Sequence, residues 1–180
     1  MSSDPFRPQK PSHITSVTEG LCALTATEAV ARLRAGEVTA AELVEASIAR
    51  IEEVDPKVNA LPIPCFDRAR DMARKLRPED HADNPKSLCG LPIAVKDYND
   101  VGGVRTTYGS PIFAQSVAAQ SDATVRQLER NGAIPMAKSN VPEWAGGNTF
   151  NPVFGATRNP WDLRMSVGGS SGGSAAALAS

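Results

Sequence analysis

The sequence predicts an α/β fold, and three observations predict it. The apolar run Gly90–Lys96 is entered through Gly and Pro and has the length of a buried strand. A second apolar run, Ala133–Ala137, follows a helix-like stretch that opens at Ser121-Asp122 and closes at Asn131-Gly132. Strand, crossover helix and strand in that order is the grammar of a parallel pair. The third observation is Gly168–Ser174, where four glycines and three serines feed an alanine-rich run. This reads as a small-residue loop entering a helix, a junction expected to gather free N–H groups where negative charge could develop.

In chain order, residues 1–16 hold three prolines and no apolar core, so they do not read as a secretory leader. Residues 1–24 are expected to form a flexible arm, with real structure starting near Leu24. Thr25-x-x-Glu28 and Thr39-x-x-Glu42 are capping-box patterns. The first opens a helix through Ala35 that Gly36 stops. The second opens a helix with Leu43, Val44, Ala46, Ile48 and Ile51 on one face, ended by Asp55-Pro56. The two are expected to form a purely structural αα-hairpin. Phe66–Leu76 is a further charged helix, and 77–86 a polar surface loop. Thr106–Pro111 is a turn-rich loop of hydroxyls, and 138–143 a loop at the far end of the second strand. Ligand chemistry in α/β sheets collects at the carboxyl ends of strands, where Lys96 and the 138–143 loop both fall.

Composition narrows the chemistry. A chain of 180 residues is one domain with room for a core. Its 19 Lys plus Arg against 20 Asp plus Glu, a net charge of −1, gives no electrostatic reason to expect nucleic acid or an anionic membrane. Aromatics at 5% argue against a base-stacking surface. Cys22, Cys65 and Cys89 lack a Cys-x-x-Cys pair and read as reduced, mostly buried thiols of an intracellular protein. His13 and His81 lie in polar stretches and supply neither a metal site nor a Ser-His pair well. Any base is therefore something else. Lys96 is notable because a charge closing an apolar strand is costly, unless it snorkels out or pairs with Asp97 or Asp100. By composition alone the Gly/Ser stretch also fits a flexible linker. A phosphate loop is disfavoured, since no Gly-Lys-Ser/Thr ending is present.

Six pieces in register carry a resemblance. They are Gly90-Leu-Pro-Ile-Ala-Val-Lys96-Asp97, Thr106-Thr107-x-Gly109-Ser110, Ser121-Asp122-Ala123-Thr124-Val125 with Asn131-Gly132-Ala133, Asn140-Val141-Pro142-Glu143, Phe154-Gly155-x-Thr157-x-Asn159-Pro160-Trp161-Asp162, and Gly168-Gly-Ser-Ser-Gly-Gly-Ser-Ala-Ala-Ala177. Over roughly residues 25–180 the chain resembles the amidase signature family. The resemblance implies a three-layer α/β/α fold with a mixed β-sheet, of which residues 25–180 are the N-terminal part of a single domain. It also implies hydrolysis of a small-molecule amide without metal or cofactor. Lys96 takes the place of the base, and Ser170 relays the proton through an unusual cis peptide. The nucleophilic serine and the oxyanion-hole amides lie beyond residue 180. Ser171 falls at a supporting hydrogen-bond position, and the backbone around Ala145 at the substrate pocket.

The physical logic agrees with that carry-over. An ordinary lysine titrates near 10.4, so keeping it neutral at pH 7 takes roughly 4–5 kcal/mol of differential interaction. Burial lowers lysine pKa by the required order. One departure is Tyr98-Asn99-Asp100, where the family's tRNA-dependent amidotransferase chain carries Asn-Ile. This favours a free-standing amidase. The alternatives are a non-catalytic amidase-like binding module and that amidotransferase chain. Residues 1–180 alone are expected to be inactive, and aggregation-prone through an unpaired sheet edge and apolar helix faces. A cytoplasmic location follows from the thiols, and a homodimer is left open.

Overall fold

The computed structural model describes residues 17–77 and 83–180. The expectations for residues 1–16 and 78–82, with His13 and His81, lie outside the described residues. The predicted arm is corrected at its end. Helix α1 (Val17–Cys22) already lies against the later helix α3, and Leu21 packs on the main core.

Helix α2 (Ala26–Ala35) starts as its sequence dictates. The Thr25 hydroxyl accepts from the Glu28 N–H at 3.2 Å, and the Glu28 carboxylate accepts from the Thr25 N–H at 2.8 Å. Gly36 closes it at φ 68°. Thr39 and Glu42 repeat the box at the start of α3 (Ala40–Val58). The predicted stop at Asp55-Pro56 is corrected: the helix runs through Pro56 to Val58 and closes on Asn59 at φ 57°. A proline in the last turn forfeits only one intrahelical bond. The Asp55 carboxylate then shapes the exit by accepting from the Ala60 and Leu61 N–H groups at 2.6 and 2.9 Å.

The main core joins Ala29 and Leu33 of α2 to Leu43, Val44 and Ile48 of α3. Ala69 of α4 (Phe66–Lys75) and two residues of the central strand, Ile134 and Met136, complete it. The expected thiol burial is corrected. Cys22, the last residue of the short α1, is exposed, and Cys65, the residue before α4, and Cys89, in a turn, are only half-buried.

The main sheet has the order β1 (Ile63–Pro64), β3 (Ile134–Ser139), β2 (Pro92–Lys96). β2 runs parallel to β3 through the crossover helix α5 (Ala123–Arg130), whereas β1 is antiparallel, so the sheet is mixed. All six residues of β3 are buried. β2 is less buried than its apolar run predicts: it is an edge strand among the described residues, and only Val95 is fully enclosed. β3 also runs two residues further than predicted at its carboxyl end, taking in Lys138 and Ser139 from the expected loop. Their backbones pair with Val95 and Lys96, which holds them in the sheet.

Two hairpins follow that the sequence does not announce, β4–β5 (Phe150–Asn151 and Gly155–Ala156) and β6–β7 (Arg158–Asn159 and Asp162–Ser166). Helix α6 (Gly172–Ala179) then begins inside the Gly/Ser stretch itself.

Candidate active site

Strand register decides what each side chain at the sheet's carboxyl end can meet. Val95 lies opposite Lys138, and Lys96 opposite Ser139. Successive strand residues point to opposite faces. Lys96 and Ser139 therefore share the face covered by α6 and its loop, while Val95, Asp97 and Lys138 share the face toward α5.

On the α6 face, Lys96 is half-buried. Its Nζ lies 2.8 Å from Ser170 Oγ and 2.8 Å from Ser171 Oγ, in hydrogen-bonding contact with both. The Gly169–Ser170 peptide is cis. Burial holds the amine below the ordinary lysine range. Nζ also sits 5.1 Å from the Tyr98 ring centroid. Neither suggested carboxylate pairs with Lys96. Asp97 points to the other face, and Asp100 accepts from the Tyr108 hydroxyl at 3.3 Å.

On the α5 face, Asp97 and Lys138 are both fully buried and 2.8 Å apart. Lys138 also donates to Thr106 Oγ1 at 2.7 Å, and Asp97 accepts from the Thr107 hydroxyl at 2.6 Å and from its N–H. The hydroxyl loop is thus the polar lining of a buried ion pair. Burial pulls the Lys138 amine down, and the Asp97 carboxylate pulls against it.

The small-residue junction differs from its expected role as a collector of free N–H groups. The Gly172 N–H donates to Thr149 Oγ1 at 2.9 Å and the Gly173 N–H to the Asn140 carbonyl at 3.2 Å. These internal partners bind the loop to the 140–149 segment and leave those two donors engaged. A Cβ at Gly172 would run into Thr149 and Val167, and one at Gly173 into the Asn140 backbone, so close approach is why glycine stands there. The Ser174 and Ser139 hydroxyls meet at 2.7 Å and tie α6 to β3.

The structure thus brings Lys96, Ser170 and Ser171 into direct contact. Ala145 joins them only through Tyr98: its N–H donates to the Tyr98 hydroxyl, which donates to the Pro142 carbonyl. Ala145 itself is left-handed at φ 63°. Sequence reasoning missed the Asp97–Lys138 pair and Tyr98. A lysine that directly follows Ile134–Ala137 was the available signal for the pair. Among the described residues no group of three His, Cys, Asp or Glu side chains is placed to hold a metal, and no helix is long and apolar enough to cross a membrane.

With this geometry in view, comparison with known proteins is decisive. The family model described as Amidase matches residues 42–180. The chain belongs to the Amidase family. AmiB2 of Mycobacterium tuberculosis, a protein named as a putative amidase, is 46% identical over 146 residues, covering 80% of this chain and 31% of its own length. A glutamyl-tRNA(Gln) amidotransferase chain of Carboxydothermus hydrogenoformans is 38% identical over 158 residues, covering 87% of this chain and 33% of its own. The solved structure of 6-aminohexanoate cyclic dimer hydrolase superposes with a TM-score of 0.78 at 33% identity, covering 89% of this chain and 33% of that one. This amidase-family chain therefore spans about a third of the length of the relatives it matches. Its α/β architecture is that of the amidase signature enzymes.

Proposed function

We propose that this chain supplies the base and the proton relay of an amide hydrolase, with the attacking serine outside residues 1–180. The observation that carries the reading is the contact of Lys96 Nζ with Ser170 Oγ at 2.8 Å, on a face where no carboxylate pairs with the amine among the described residues. A lysine free of an ion pair and lowered by burial can exist as the neutral amine.

In that state Lys96 Nζ accepts the Ser170 proton while Ser170 Oγ accepts the proton of the attacking serine. The serine oxygen bonds to the amide carbonyl carbon. Collapse breaks the C–N bond, and the departing nitrogen takes the proton back through the same relay. Water then repeats the sequence on the acyl-enzyme, releasing a carboxylic acid and the free serine. Ser171 Oγ, also 2.8 Å from Nζ, fixes the amine's position. In this reading the backbone around Ala145, next to Trp144, lines the substrate pocket. The substrate is a small-molecule amide and the compartment the cytoplasm.

The test is hydrolysis by the natural protein. Lys96→Met and Ser170→Ala are each expected to lower kcat/KM by on the order of 10²–10⁴. Activity within about threefold of the unaltered protein in either variant would remove that residue from the mechanism. Residues 1–180 alone are expected to hydrolyse nothing. A second reading, the corresponding chain of a tRNA-dependent amidotransferase, draws on the 38% identity to the Carboxydothermus protein. It requires co-purifying partner chains and tRNA-dependent activity, and Tyr98-Asn99-Asp100 speaks against it.

A further inference from the structure

The chain holds nine aromatic residues, and four of them, including both tyrosines, gather beside Lys96. Tyr98, whose ring lies 5.1 Å from Lys96 Nζ, stacks toward Tyr108 with centroids 6.3 Å apart and planes 22° apart. Tyr108 stacks toward Trp144 at 5.9 Å with planes only 8° apart. Phe113 closes one side, edge-on to Tyr108 at 5.3 Å and to Trp144 at 5.5 Å. The result is a ladder of three near-parallel rings that begins at the lysine and ends at Trp144, which is 56% exposed.

The backbone holds this arrangement in conformations that side chains rarely adopt. Tyr108, Trp144 and Ala145 are left-handed, at φ 52°, 50° and 63°. The Trp144 N–H donates to the Tyr108 carbonyl at 3.2 Å, and the Tyr98 hydroxyl clasps Pro142 and Ala145. At Gly109 a Cβ would press on the Pro142 carbonyl and the Glu143 nitrogen at 3.0 Å, so the two loops touch directly. Strained residues that hold an exposed aromatic beside a candidate base are a feature of ligand sites.

We infer that this ladder is a subsite for a flat apolar substituent of the amide substrate, stacked at Trp144. The inference rests on the amidase reading and adds a substrate class to it. Two ring-to-ring steps, 6.3 and 5.9 Å, separate Tyr98 from Trp144. The favoured substrates are therefore amides whose aryl group is carried a few bonds from the carbonyl, and small aliphatic amides bind poorly. Aromatic faces reward such a partner by offset stacking.

The test is equilibrium binding, read by calorimetry, to the natural protein carrying Lys96→Met so that turnover does not intervene. The probes are 3-phenylpropanamide and propanamide. The aryl amide is expected to bind about tenfold tighter or more, the scale of one ring stacked on an aromatic side chain. Trp144→Leu keeps the bulk and removes the flat face, and is expected to erase most of that ratio. Phe113→Leu is expected to reduce it less. Equal affinity for the two amides, or a ratio that survives Trp144→Leu, would overturn the subsite. Should Trp144→Leu not fold, the ratio measured on Lys96→Met alone decides. The ratio is thus read where Lys96 cannot act as a base, which separates the two proposals. Aryl-selective binding by a natural protein that hydrolyses no amide leaves the subsite standing and sinks the hydrolase reading. Hydrolysis that shows no preference for the aryl amide does the reverse.

Discussion

Lys96 and Lys138 stand near the carboxyl ends of neighbouring parallel strands of one sheet, yet they differ in almost every physical respect. Lys138 is fully buried against the equally buried Asp97 and the Thr106 hydroxyl. Lys96 is half-buried and meets only hydroxyls and an aromatic ring. The cause is parity. Lys138 stands opposite Val95, one register position from Lys96, so the two amines leave the sheet on opposite faces. An amine locked to a carboxylate is a structural part. One held by neutral hydroxyls keeps the option of giving up its proton. Residue type therefore says little about a lysine's role here, and the face it leaves from says a great deal.

The strongest way to break that comparison is to exchange the losses. Lys96→Met is expected to abolish most turnover in the natural protein while changing unfolding free energy by less than about 1 kcal/mol, since no ion pair is lost. Lys138→Met is expected to show the opposite bias, losing about 3–5 kcal/mol because Asp97 is left as an unpaired buried charge. Urea midpoints beside kcat/KM read both. Equal loss of stability in the two variants would erase the distinction. A sharper version combines Asp97→Asn with Lys138→Met. The pair is in contact, so the double variant should be less destabilised than the sum of the singles by roughly 1–3 kcal/mol. Strict additivity would mean the pair does not act as a unit. The smallest effect is expected from Ser171→Ala, which removes one of the two hydroxyls on Nζ and should cost about tenfold in kcat/KM, with stability nearly unchanged.

Signals in the sequence are legible where the physics is local. Thr25 with Glu28, Thr39 with Glu42, and Gly36 fix helix ends within a few residues of chain, and the structure repeats them. The βαβ order of β2, α5 and β3 is likewise legible from apolar runs and turn residues. What is illegible depends on distant partners. Asp97 finds Lys138 across 41 residues, and only the register of β2 on β3 brings them together. Lys138 reads as a loop residue because charge is usually a surface mark. The hairpins β4–β7 contain strands too short to show alternation, three of them two residues long. Pro56 reads as a helix stop unless the Asp55 carboxylate that organises the following turn is known. Lys96 and Ser170 stand out because their motifs resemble a family, whereas the aromatic ladder belongs to no motif and emerges only when two loops close on each other.

The most direct measurement of the central claim is competitive labelling of the lysines across pH, read residue by residue. Only the neutral amine reacts, so labelling rises with pH through each group's pKa. Burial lowers that of Lys96, which places its rise below the ordinary lysine value of about 10.4. Lys138, enclosed with Asp97, is expected to resist labelling while the fold is intact. A Lys96 whose labelling rises only at the ordinary lysine value would contradict the account, because burial would then not have made its amine available as a base.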